Sequence, residues 1–311
     1  MSGRARRRGC LSGLLVALVV LGLAVGAVVV ALQVLGGEDP PSNSCVAPIG
    51  EDVMVLDAEQ ADNAALMAAV AMRRELPAHA VTVAIATAMQ ESRLRNIDYG
   101  DRDSVGLFQQ RPSQGWGTVA EIMDPIYSTN AFYDVLVTVQ GWEDRPVTEA
   151  AQDVQRSAFP DAYAQHENRG RAFASALTGY SSSALVCELD PAEGGEASGT
   201  ASAPGALGAV RDRLVRDFVE IGFQERGELL VVDATTLPAG RDAAPERRGW
   251  AVAQWAVATA GATGISTVVT DSEAWIRGDG DAAWVPLADA ELPAAVAEAA
   301  AAAGPGAVVI A

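Results

Sequence analysis

Residues 88–112, AMQESRLRNIDYGDRDSVGLFQQRP, hold the side chains whose types and spacing point to chemistry. Glu91 closes a nearly uninterrupted apolar stretch, AVTVAIATAMQ. At the carboxyl end of a helix a carboxylate faces the negative end of the macrodipole, and against a buried face it is poorly solvated. Both effects raise its pKa. A carboxylic acid kept protonated near neutral pH is what glycosidic bond cleavage requires of its general acid. The competing reading is a solvated terminal glutamate paired with Arg93 or Arg95. Asp98, Asp101 and Asp103 follow in a polar loop. They either supply the second carboxylate that an inverting hydrolase needs to activate water or form solvated turns. Their spacing is not that of a calcium loop, and with three Cys and two His in the chain no metal and no cofactor is assigned. His79 reads as a core or first-turn residue and His166 as surface. Neither stands near a Cys or Ser motif, which argues against Cys-His and Ser-His-Asp chemistry.

The elements that must position Glu91 are helical. Residues 57–76 have an acidic start and apolar residues at helical spacing, and Pro77 ends them. Residues 78–95 are apolar on most sides and read as a buried central helix. The polar loop 96–117 follows, then helices near 130–140, 148–157 and 160–178, and no strand period is evident in this region. Beyond a Gly/Ala/Ser/Pro-rich linker the pattern mixes. Helices are predicted at 206–221, 245–260 and 292–303, and strands at 228–233, 264–270 and 307–310. A hairpin is predicted over 271–286, around Gly278-Asp279-Gly280.

Glu91-Ser92 at a helix end, followed 14 residues later by Gly106-Leu107-Phe108-Gln109, resembles the lytic transglycosylase family, which has the goose-type lysozyme fold. Phe108 stands where Met is usual. A weaker match is Asp124-Pro125 followed by Asn130-Ala131-Phe132-Tyr133, similar to the helix that lines the far side of the family's groove. The resemblance covers about residues 56–178. Through SAFPDAYAQHE the text also resembles lysozyme-like domains of exported actinobacterial cell-wall proteins. The family's Tyr-Asn pair, whose Tyr supports the catalytic Glu, has no counterpart in residues 150–157, and Gln155 or Tyr163 is the candidate substitute.

The resemblance implies a peptidoglycan glycan strand as substrate and a single-residue mechanism. Glu91 would protonate the oxygen between N-acetylmuramic acid and N-acetylglucosamine, then deprotonate the C6 hydroxyl that closes a 1,6-anhydro ring. Gln109 and the amides around Gly106 would hold the acetamido group. Phe108 and Trp116 would give an apolar wall or else pack in the core, with Ser92, Leu107, Tyr133 and Gln155 completing the substrate set. The alternative is a catalytically silent lysozyme-like scaffold that binds glycan strands in the cell envelope.

Compartment and organisation follow from composition. The 311 residues suggest two domains, and the net charge of −18 excludes nucleic acid as a favoured partner. Residues 1–10 carry Arg4, Arg6, Arg7 and Arg8. The uncharged run 11–35 would span about 37 Å as a helix, enough for a ~30 Å hydrocarbon core. This reads as an uncleaved signal anchor at the cell membrane with the bulk of the chain outside. The expected organisation is α+β and multi-domain. Residues 36–52 are a tether, 53–187 a mainly α lysozyme-like domain, 188–205 a linker and 206–311 a small α/β accessory domain. Cys45 and Cys187 bracket the first domain, and in an oxidising compartment one disulfide is the simplest reading. Closing such a loop is worth about 4–5 kcal/mol in the chain-entropy model. The accessory domain carries Trp250, Trp255, Trp275 and Trp284. Trp255 reads as core, and the other three are open between core and a binding surface. A cell-wall protein is the partner expected for that domain.

Overall fold

The computed structural model describes residues 42–157, 159–191, 202–238, 244–278 and 283–311. The expected membrane anchor at 11–35, much of the expected linker at 188–205, and Asp279 and Gly280 of the expected hairpin turn lie outside the described residues. Among the described residues no helix is long and apolar enough to cross a membrane.

Two strands precede the first helix, inside and just beyond what the sequence suggested was a tether. β1 (Ser44–Ile49) and β2 (Asp52–Asp57) form an antiparallel hairpin, and β3 (Val186–Glu188) pairs with the other edge of β1 in the order β2-β1-β3. The strand period was hidden because Ser44, Cys45 and Ala47 are all buried, so polar and apolar residues do not alternate along SCVAPI. Cys45 stands directly opposite Cys187 in the register, and the two form the expected disulfide.

α1 (Ala58–Arg73) opens with a capping box: the Gln60 N–H donates to Asp57 Oδ1 and the Asp57 N–H to Gln60 Oε1, both at 3.0 Å. α2 (Ala78–Ser92) is buried from Ala80 to Met89. It ends three residues before the predicted boundary, because Arg93 and Leu94 both take left-handed φ values of 56° and 60°. The Leu94 N–H then returns to Ala88 O at 2.8 Å. α3 (Val119–Ile122) and α4 (Pro125–Leu136) follow the polar loop, α4 starting earlier than predicted because Asp124 caps it. α5 (Val147–Gln155) leads to a 3-10 segment, Pro160–His166, and then α6 (Glu167–Leu177). α6 crosses α2 closely at Gly170, where a Cβ would lie 2.8 Å from Thr82 O.

The remaining elements are α7 (Ala206–Phe218), α8 (Pro245–Thr263), α9 (Ala294–Ala301) and an antiparallel six-stranded sheet. Its strands are β4 (Gly222–Arg226), β5 (Leu229–Asp233), β6 (Thr267–Thr270), β7 (Glu273–Ile276), β8 (Trp284–Pro286) and β9 (Ala307–Ile310). The spatial order is β4-β5-β9-β6-β7-β8, so the last strand in sequence lies inside the sheet. The predicted helix 206–221 stops at Phe218, and Gly222–Arg226 pairs with β5 instead.

α8 packs against the sheet on one side and against α1 and α6 on the other, and residues 42–311 form one compact unit. All four tryptophans of the C-terminal region are buried, and each indole N–H has an acceptor. Trp275 donates to Cys187 O, Trp284 to Leu185 O, Trp255 to Asp217 and Trp250 to Asp271. Gln254, fully buried, donates to Ala176 O and Ser181 O and accepts from the Ala184 and Leu185 N–H groups.

Candidate functional site

The site is built where the last turn of α2 meets the loop after it. Ser92 is buried, and its hydroxyl lies 2.7 Å from Leu107 O and 3.1 Å from Ala88 O. It fastens the 106–109 loop to the helix end instead of facing outward. Gly106 takes φ 80°, and a Cβ there would come within 2.9 Å of Ile122 O, so conformation and close approach both require glycine. Leu107 and Phe108 point inward with no exposure, and Phe108 stacks on Phe132 at 4.4 Å. Tyr133 is also fully buried, its hydroxyl donating to Met67 O at 3.1 Å. The side chains of Ser92, Leu107, Phe108 and Tyr133 therefore build the scaffold and leave no surface for a sugar. Their motif spacing reflects how the loop is packed, a demand that sequence alone does not separate from binding.

Gln109 takes a left-handed φ of 48° and donates to Tyr99 O at 3.2 Å and Gly106 O at 3.3 Å. Its side chain lies across Gly100, where a Cβ would be 1.8 Å from Gln109 Oε1. Its amide donor is thus spent on the loop. Trp116 is half-buried against the core, and its carbonyl accepts from the Tyr127 hydroxyl.

Glu91 itself is half-buried. Its Oε1 accepts from the Tyr163 hydroxyl at 2.8 Å, and the nearby Gln155 side-chain amide also favours the charged form of the carboxyl. Gln155 donates to Phe108 O at 2.8 Å, which ties the loop to α5. Burial pushes the Glu91 pKa up, and the Tyr163 hydrogen bond and the Gln155 amide pull it partly back. Burial, and then the neighbouring Glu91 charge, hold the Tyr163 hydroxyl protonated. Both substitutes weighed for the missing tyrosine thus meet Glu91. The solvated, paired reading of Glu91 does not hold: its side chain is half-buried, no ion pair to Arg93 or Arg95 is seen among the described residues, and Arg95 is engaged by Asp57 and Glu59. Ser157, which the sequence did not single out, accepts the Phe159 N–H on its Oγ at 3.1 Å, just before the segment that carries Tyr163.

The acidic loop is divided. Asp98 and Asp101 are exposed. Asp103 accepts from Arg111 Nε and the Ser113 N–H, each at 2.8 Å, and from the Ser113 hydroxyl. Those donors hold its carboxyl well below the usual range, so it is a poor base and a good loop anchor. Gln90, next to Glu91, accepts from Gln165 and from His166 Nε2, and His166 is half-buried where surface was expected. His79 sits at the opposite end of α2, stacked with Trp142 at 6.2 Å. Among the described residues no group of three or more His, Cys, Asp or Glu could hold a metal ion. No protein-family model matches the chain, and a search of curated proteins gave no match.

Proposed function

We propose that this chain cleaves peptidoglycan glycan strands as a lytic transglycosylase, with Glu91 acting first as general acid and then as general base. The observation that carries this reading is the setting of Glu91: shielded at the end of a buried helix, raised in pKa, and met by the neutral donors Tyr163 and Gln155. In the first step protonated Glu91 gives its proton to the bridging oxygen as the bond from muramic C1 to that oxygen breaks, and the N-acetylglucosamine side leaves as an alcohol. The carboxylate then takes the proton of the muramic C6 hydroxyl while its oxygen bonds to C1. The 1,6-anhydro ring closes and the acid is restored. No water is consumed and no second carboxylate is used, in keeping with the engagement of Asp103 by Arg111 and Ser113. Tyr163 and Gln155 stabilise the charged form that exists between the two transfers.

The uncharged run 11–35 behind the basic cluster, together with the Cys45–Cys187 disulfide, supports a membrane-tethered chain with residues 42–311 facing an oxidising exterior. The test is digestion of purified peptidoglycan by the full chain in detergent, read by mass spectrometry, beside Glu91→Gln. Anhydro-muropeptides from the parent alone support the reading. Reducing-end products indicate a hydrolase, and glycan binding without products indicates the silent scaffold.

A further inference from the structure

We propose that the free edge of β2 is a pairing surface for a second copy of this chain, the two β2 strands running antiparallel about Met54. The inference goes beyond the glycan reading and draws one of its arguments from the membrane tether proposed with it. Each sheet has two edge strands, β2 and β3 in one and β4 and β8 in the other. Three of these edges are closed or blunted. The carbonyls along β3 are taken by indoles, Trp275 on Cys187 O and Trp284 on Leu185 O. β8 has three residues and ends in Pro286, and β4 exposes Gln224, Glu225 and Arg226. Short length, proline and charge each keep an edge from adding a strand. β2 has six residues, and its charges stand only at its ends, Asp52 and Asp57, with Val53, Met54, Val55 and Leu56 between them.

The hairpin turn fixes which backbone groups that edge offers. Gly50 and Glu51 form a two-residue turn with Gly50 at φ 60°, so Ile49 and Asp52 close it as a hydrogen-bonded pair. The pairs then alternate along the strand: Met54 and Leu56 bond to β1, and the N–H and C=O groups of Val53 and Val55 point away from it. Asp57, next in that alternation, behaves accordingly, its N–H donating to Gln60 Oε1 and not to β1. Among the described residues no strand pairs with this edge. The side chains divide the same way. Met54 and Leu56 turn to the core. Val53, 58% exposed, and Val55 turn to the other face, where Pro48 and Val46 stand opposite them in β1. Pro48 is exposed and Val46 and Val55 are half-buried, so an apolar face runs up to an open edge.

The edge is self-complementary. In a two-fold pairing centred on Met54, Val53 of each copy stands opposite Val55 of the other, and each such pair exchanges both of its hydrogen bonds. Met54 faces its own symmetry mate, and Glu51 comes opposite Asp57, whose charge Arg95 already answers. Centring on Val55 sets Val53 against Asp57, whose N–H is spent on Gln60, and centring on Val53 sets Val55 against the turn residue Glu51. The Met54 centre gives one sheet in the order β3-β1-β2-β2-β1-β3, its apolar face continuous across the axis. The chain ahead of β1 favours a second copy as the occupant. Residues 36–43 alone separate the uncharged run from Ser44, a reach of at most about 30 Å. Copies tethered in one membrane therefore hold their β2 edges in one thin layer at high effective concentration. At −18 per copy the chains repel, so the pairing is expected to tighten as salt rises.

The experiment places the full chain, with Cys10→Ser to remove the extra thiol, in neutral phosphatidylcholine vesicles and reads disulfide cross-linking under mild oxidation beside vesicle flotation. Met54→Cys is expected to give a covalent dimer, because the two cysteines stand directly opposite. Val53→Cys alone is expected to give little, and Val53→Cys/Val55→Cys, on the exposed face, to cross-link again. Adding Val53→Lys to Met54→Cys enters the interface twice and is expected to lower the dimer yield about tenfold with Tm unchanged. Val55→Pro, which removes only an outward N–H, is expected to do the same. If the chain floats with the vesicles and neither cysteine design dimerises, or Val53→Lys leaves the yield unchanged, the pairing falls and the tether stands. If the chain stays off the vesicles and still cross-links at Met54, the tether falls and the pairing stands. If Val53→Cys alone cross-links as readily as Met54→Cys, the pairing about Met54 is overturned.

Discussion

Glu91 is a carboxyl group kept partly out of water, and its raised pKa has two opposite consequences. For catalysis, the acid form persists to higher pH than for a free glutamate, so kcat is expected to fall as pH rises through the raised value. For stability the sign reverses. The unfolded chain ionises more readily than the folded one, so Glu91 subtracts stability above the ordinary glutamate pKa. Glu91→Gln is therefore expected to abolish cleavage while raising Tm at neutral pH by roughly 1–3 °C, measured by thermal denaturation beside product analysis. Tyr163→Phe removes a donor to the carboxylate. It is expected to lower kcat by about 10–100-fold and to shift the kcat pH profile upward. Much of this was legible in the sequence: an apolar helix ending in Glu91-Ser92 already implied a poorly solvated acid. Tyr163 was only one of two candidates, because a 3-10 segment beginning 69 residues after Glu91 comes back to it through tertiary packing that no local pattern encodes.

At the level of elements, the loop after α2 is held to its neighbours by a few bonds from named side chains. Ser92 ties it to α2 and Gln155 ties it to α5, while Asp103 staples its distal part through Arg111 and Ser113. Ser92→Ala leaves Leu107 O buried without that partner and is expected to cost about 1–3 kcal/mol in urea denaturation. Phe108→Ala opens a cavity against Phe132 and is expected to cost about 3–5 kcal/mol. The loop and its Gly106-Leu107-Phe108-Gln109 spacing are legible in the sequence, while what the spacing serves is not. Polar and glycine residues at fixed spacing look alike whether they bind a ligand or close a turn, and only the partners of Ser92 and Gln109 distinguish the two. The strands around Cys45 were missed for a related reason. Small residues buried on both faces leave no alternation to read.

On the scale of the whole molecule, the two regions read as separate domains share α8 and a set of buried polar bonds. Gln254 is the centre of that set, answering two carbonyls and two N–H groups of residues 176–185. Gln254→Leu strands those groups in a dry setting and is expected to cost about 3 kcal/mol or more, read as a lower denaturation midpoint with a single transition retained. The four tryptophans of the C-terminal region are committed to the same shared interior and offer no recognition surface. None of this is legible in the residues alone, because a helix that is apolar all round is buried without announcing what buries it.

The place of β9 also sets an order of events. Lying between β5 and β6, it is the strand that joins one half of the six-stranded sheet to the other, and it leaves the ribosome after the other five. Until Ala307–Ile310 arrives, the β4-β5 hairpin and the β6-β7-β8 meander are separate ribbons, each with an open edge. The seat that the sheet gives to α8, which packs in turn on α1 and α6, is completed by those few residues. A ribosome that stops short of them would release a chain with the motif complete and its support unfinished, a form for quality-control proteases to remove.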